Sequence, residues 1–113
     1  IENIMKPALL LTALLPLLSL SAQAEPISNK DQAVARVSAS VARHRLTSLK
    51  PECLLFITTE TANNYTVDVH EKHDARCGGD PHTAPRLFGY EVDKASGRMQ
   101  IDDPVSGETR PIN

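Results

Sequence analysis

The run His70-Glu71-Lys72-His73-Asp74-Ala75-Arg76-Cys77-Gly78-Gly79-Asp80-Pro81-His82-Thr83-Ala84-Pro85-Arg86 holds three of the chain's four histidines, three acids and two arginines. Three kinds of chemistry compete for these side chains. The imidazoles of His70, His73 and His82, with Asp74 to complete a tetrahedron, are donors that zinc or copper accepts. Their spacing follows no established ligand pattern. A histidine beside an acid can also move protons. Catalysis would still need a nucleophile, and Ser96, Ser106 and the threonines occupy no elbow such as Gly-x-Ser-x-Gly. No catalytic residue is assigned, and the chain is not read as an enzyme. The third chemistry is recognition. A stiffened loop on a scaffold loses little entropy on binding, and Pro81, Pro85 and a disulfide would stiffen this one. Arg76, Gly78, Gly79, Asp80, His82 and Arg86 are therefore the expected partner-binding loop. The competing structural reading pairs Arg76 and Arg86 with Asp74, Asp80 or Glu91.

The stiffening disulfide is Cys53–Cys77, the only two cysteines present. An oxidising compartment makes them a bridge. The alternative is a reactive thiol at Cys77 near His73. Closing a loop of this length stabilises a fold by about 3.5 kcal/mol in the chain-entropy view.

The compartment is read from residues 1–24. Met5 is a natural start, which makes residues 1–4 an upstream remnant. Lys6 is a positive n-region, residues 8–20 are an apolar run, and Ala22-Gln23-Ala24 fits a signal-peptidase site. The run is shorter than the ~20 residues that span a bilayer, and Pro16 interrupts it. A periplasmic or secreted domain is expected from residue 25 to 113, with no stable membrane anchor after cleavage. Cleavage removes Glu2 and Lys6, so the net charge stays at −2. That charge, with only 4% aromatic residues and no Trp, argues against a nucleic-acid surface. The expected partner is a periplasmic or extracellular protein.

The loop needs elements to position it. Ser28 or Asn29 can cap a helix, with Asp31 in its first turn. Val34, Val37 and Val41 carry the helical period, and Leu46 and Leu49 extend it to about residue 49. Pro51 then ends it. His44 lies among helix arginines as a solvated or capping residue. From residue 53 the period changes to 2. Residues 53–59 form a central apolar strand, and 65–72 a second with Tyr65, Val67 and Val69 on one face. Residues 86–93 form a third, with Phe88, Tyr90 and Val92 inward. A tight turn at Lys94-Ala95-Ser96-Gly97 leads to a fourth at 98–102, carrying Met99 and Ile101. The tail from about 103, with Pro104, Gly107 and Pro111, is expected to be loose. The fold class is α+β: one N-terminal helix packed on a four-stranded antiparallel meander, with one disulfide. Asn64-Tyr65-Thr66 also fits a glycosylation sequon.

Tyr90-Glu91-Val92-Asp93-Lys94-Ala95-Ser96-Gly97-Arg98-Met99-Gln100-Ile101 resembles the last hairpin of PepSY domains. The chain as a whole resembles small periplasmic proteins of Gram-negative bacteria. The PepSY resemblance implies a small exported module that restrains a peptidase, and it transfers no functional residue. The expected function is an exported binding module, an inhibitor or accessory of a cell-envelope enzyme. The alternative is a periplasmic metal-binding protein using the loop histidines.

Overall fold

The computed structural model describes residues 25–113; the signal-peptide reading of residues 1–24 lies outside them. One helix, α1 (Lys30–Arg43), precedes a single 3-10 turn (Pro51–Cys53). Five strands follow: β1 (Leu54–Glu60), β2 (Asn64–Glu71), β3 (Arg86–Asp93), β4 (Met99–Asp102) and β5 (Thr109–Ile112). Each strand pairs antiparallel with the next, giving one sheet in the order β1-β2-β3-β4-β5. The domain is α+β.

α1 starts where a cap exists. The Asn29 side chain accepts the Gln32 N–H at 2.9 Å, and Asp31 occupies the first turn. The helix ends at Arg43, six residues before the end expected from its apolar period. Arg45 turns into the left-handed region (φ 51°). The Leu46 N–H then reaches back to the Val41 carbonyl, and the Arg45 N–H to that of Ala42. This is a Schellman closure built without glycine. Leu46 and Leu49 still reach the core, but from the segment that follows the helix.

Alternation decides which sheet face is buried. Tyr65, Val67 and Val69 of β2, Phe88, Tyr90 and Val92 of β3, and Met99 and Ile101 of β4 point inward. They meet Ala33, Val37 and Val41 of α1. Val37, Val67, Val69 and Val92 have no exposed surface, and each such side chain contributes about 1.5–3 kcal/mol. One polar pair enters this core. The buried Tyr90 hydroxyl donates to Ser40 Oγ at 2.8 Å, and Ser40 Oγ donates to the Asn113 carbonyl at 2.6 Å.

Four strands were expected and five are found. The tail is a hairpin arm: the Asp103 N–H bonds the Glu108 carbonyl at 2.7 Å, and β5 pairs with β4 from Asp102↔Thr109 to Met99↔Ile112. Asp103 shapes the turn by accepting the Val105 N–H at 2.8 Å. Pro111 is compatible with a strand here because β5 is an edge, where a missing N–H breaks no ladder. The lead-in is also fixed. Arg36 Nη1 donates to the Gly97 carbonyl at 3.0 Å, and its Nη2 to that of Glu25 at 3.3 Å.

Candidate functional site

β2 ends at Glu71 and β3 begins at Arg86, so the chain between them is a long connection on the sheet's end. Its base is tied twice. The Lys72 N–H bonds the Cys53 carbonyl at 2.8 Å, and the Glu71 N–H bonds the Pro85 carbonyl at 2.9 Å. The disulfide Cys53–Cys77 then joins the loop to the 3-10 turn ahead of β1, with Cα atoms 5.5 Å apart.

Inside these ties the loop satisfies its own backbone with side chains. Asp74 Oδ1 accepts the N–H groups of Arg76 (2.9 Å) and Cys77 (2.8 Å). Those bonds, the Cys77 N–H first, hold the Asp74 carboxyl below its ordinary value. The Gly78 N–H returns to the Asp74 carbonyl at 2.8 Å. Asp80 Oδ1 caps the His82 N–H at 2.9 Å, and the Asp80 carbonyl accepts from both the N–H and the hydroxyl of Thr83. This is local Asx chemistry replacing a ladder.

His73 latches the two halves. Its Nε2 lies 2.7 Å from Glu71 Oε1, its Nδ1 2.8 Å from the Asp80 carbonyl, and its side chain is only 12% exposed. Both ring nitrogens face acceptors, which favours the doubly protonated ring. The hydrogen bond to Glu71 raises the His73 pKa, and the bond to Asp80 adds to it against the opposing effect of desolvation. Gly79, at φ +85°, lies flat on the ring. His70 makes a parallel tie, its Nδ1 2.6 Å from the Ala84 carbonyl.

Arg86 is held on the outer face of the sheet. Its Nε bonds Asp68 Oδ1 at 3.0 Å and its Nη2 bonds Asp102 Oδ2 at 2.5 Å, while Asp102 Oδ1 accepts the Gly89 N–H at 2.7 Å. One guanidinium thus clips β2, β3 and β4 together.

The six loop residues expected to meet a partner therefore divide. Arg76, Gly78, Asp80 and His82 are exposed on the loop. Gly79 is committed to packing on His73 and Arg86 to its two aspartates. Glu71, Asp68 and Asp102 are the partners that sequence reasoning missed. Asp68 and Asp102 sit at non-core positions of their strands, but their convergence on Arg86 depends on register. The histidines do not converge as a ligand set: among the described residues no group of three or more His, Cys, Asp or Glu side chains is placed to hold a metal ion. His70 and His73 each turn a nitrogen to a backbone carbonyl instead.

A concavity of about 530 Å³ opens where α1 ends, lined by Val41, Arg45, Leu46, Leu49 and Leu54 among others. Among the described residues no helix is long and apolar enough to cross a membrane. Compared with family models, curated proteins and solved structures, the chain matches none.

Proposed function

We propose that the protein is an exported binding module whose 74–85 loop engages a cell-envelope protein, acting as an inhibitor or accessory of an envelope enzyme. The observation that carries this reading is the loop's prior order. It is closed by a disulfide, latched by His73 and braced by two Asx turns, yet Arg76, Asp80, Pro81 and His82 stand exposed. A surface ordered before binding forfeits little entropy when it docks. Arg76 supplies a planar donor for a carboxylate and His82 an aromatic donor or acceptor. The acceptor surface on the partner is accordingly acidic or carbonyl-rich.

The test uses the oxidised protein as bait in an envelope extract, with cross-linking and mass spectrometry to read the contact. One partner cross-linked through residues 76–82, and lost from the Arg76→Glu/His82→Ala variant, supports the reading. Capture that survives this double variant, or contacts mapping away from the loop, overturns it.

A further inference from the structure

β1, expected from its apolar run to be central, is instead an outer strand of the sheet because each strand pairs only with its sequence neighbours, and its backbone polarity can be read from its hairpin. Lys72 N–H to Cys53 carbonyl and Thr61 N–H to Asn64 carbonyl are both ladder bonds in register with Leu54↔Glu71 through Glu60↔Tyr65. In an antiparallel pair bonded residues alternate, so Leu55, Ile57 and Thr59 bond β2. Phe56, Thr58 and Glu60 turn their N–H and carbonyl groups to the open side. Among the described residues no backbone bond from outside the sheet reaches those three. Leu54 offers its carbonyl alone, because its N–H returns to Pro51.

Native edges are normally blunted by proline, lysine, bulges or brevity. β5, at the other edge, is four residues long and carries Pro111. β1 has no such guard. It is seven residues, Leu-Leu-Phe-Ile-Thr-Thr-Glu, with Leu55 36% and Ile57 49% exposed on the outer face.

We propose that β1 is a self-association edge, on which two copies of this chain pair antiparallel about a two-fold axis through Ile57. This register is the one in which the seven-residue strands overlap completely. Phe56 then exchanges both its backbone bonds with Thr58 of the second copy, and the Glu60 N–H meets the second copy's Leu54 carbonyl. Side chains agree with this pairing. Ile57 faces its own copy at a close, non-bonded position, and Leu55 faces Thr59. The only charge on the strand, Glu60, falls opposite Leu54 and is already paired with Lys94 Nζ at 2.6 Å. No like charges oppose each other. The strand is thus complementary to itself in hydrogen bonds, shape and charge, which favours a second copy over an unrelated peptide. The axis stands normal to the sheet, so both helices lie on one face of a continuous ten-stranded sheet. An edge contact is narrower than the ~1,200 Å² of standard interfaces, so the dimer is concentration-dependent. This inference does not depend on the loop reading.

The experiment is light scattering coupled to gel filtration on the oxidised protein over a concentration series. A monomer–dimer equilibrium is expected, and Ile57→Lys, which sets two ammonium groups face to face, weakens it at least about tenfold. Ile57→Cys should cross-link to itself under mild oxidation with Cys53–Cys77 intact, since facing non-bonded positions suit a disulfide. Leu55→Cys should not, because Leu55 meets Thr59. A chain that stays monomeric up to about 1 mM, a dimer indifferent to Ile57→Lys, or equal cross-linking at positions 55 and 57 overturns the proposal.

Discussion

Gly79 lies against the imidazole of His73 so closely that a Cβ built on it would stand 2.6 Å from ring Cδ2. Its neighbour Gly78, also at positive φ (+80°), faces open space. The two adjacent glycines therefore separate backbone strain from steric displacement. Gly78→Ala should cost about 1–2 kcal/mol for the left-handed backbone alone. Gly79→Ala should cost at least about twice that, because the ring must leave Glu71 or Asp80. Urea unfolding of the two variants gives the difference directly. Equal losses would mean that the ring yields freely.

The latch should respond to pH. Glu71, then Asp80, raises the folded-state pKa of His73 above 6.5. A group raised in this way adds stability that is complete below its unfolded pKa and lost as pH climbs through the folded value. The loop should therefore loosen from pH 6.5 upward. Amide exchange at Thr83, whose N–H bonds the Asp80 carbonyl, should accelerate beyond its intrinsic base dependence. Glu71→Gln should flatten that excess. Protection that rises with pH would contradict the latch.

Arg86 should behave as a structural residue. Its side chain is 44% exposed, and exposed ion pairs contribute little singly. Removing it also leaves the Asp68 and Asp102 carboxylates without their shared counter-charge. Arg86→Ala should destabilise by about 1–2 kcal/mol in thermal or urea unfolding. Arg76→Ala and His82→Ala, being exposed on the loop, should stay within about 0.5 kcal/mol of the parent.

Thr58 offers the opposite sign. Its Oγ1 is buried with no hydrogen-bond partner among the described residues. Thr58→Val keeps the β-branched shape and removes an unsatisfied hydroxyl, so it should stabilise the fold by about 1 kcal/mol. A loss of stability would show that the hydroxyl is satisfied by water.

Reduction of Cys53–Cys77 should cost about 3.5 kcal/mol, with the 73–85 segment losing exchange protection before the sheet does. The bridge ties that segment to the 3-10 turn, while β2, β3 and β4 are held by their ladders and by Arg86. Simultaneous loss would mean that loop and sheet unfold as one unit.

Local patterns carried the sheet. Alternation in Tyr65-Val67-Val69 and Phe88-Tyr90-Val92 identified both the strands and their buried faces, because one side chain in two must leave water. The bounds of β3 were legible to the residue. The end of α1 was not, because the Schellman turn at Arg45 uses a residue type with no preference for positive φ, and Leu46 and Leu49 prolong the apolar period beyond the helix. β5 was hidden for a different reason: proline and glycine read as loop signals unless the strand is known to be an edge. In the loop, residue types were visible but pairings were not. That His73 serves Asp80 and Glu71 follows from how the loop folds back on itself, and that Arg86 joins Asp68 to Asp102 follows from strand register and a β2–β3 shift at Val69/His70, neither of which composition encodes.

Pro111 has a consequence beyond its own strand. The bond between Asp103 and Glu108 fixes the ladder's phase, so Pro111, opposite Gln100, directs its ring nitrogen away from β4. At that position the far edge offers no donor to a newcomer. Thr109 is the other outward-facing residue of β5, so a strand arriving at this edge finds a single N–H donor there, against three on β1. The two edges are therefore unequal, and pairing between copies at β1 leaves outermost the edge with fewer donors, which disfavours growth into a filament.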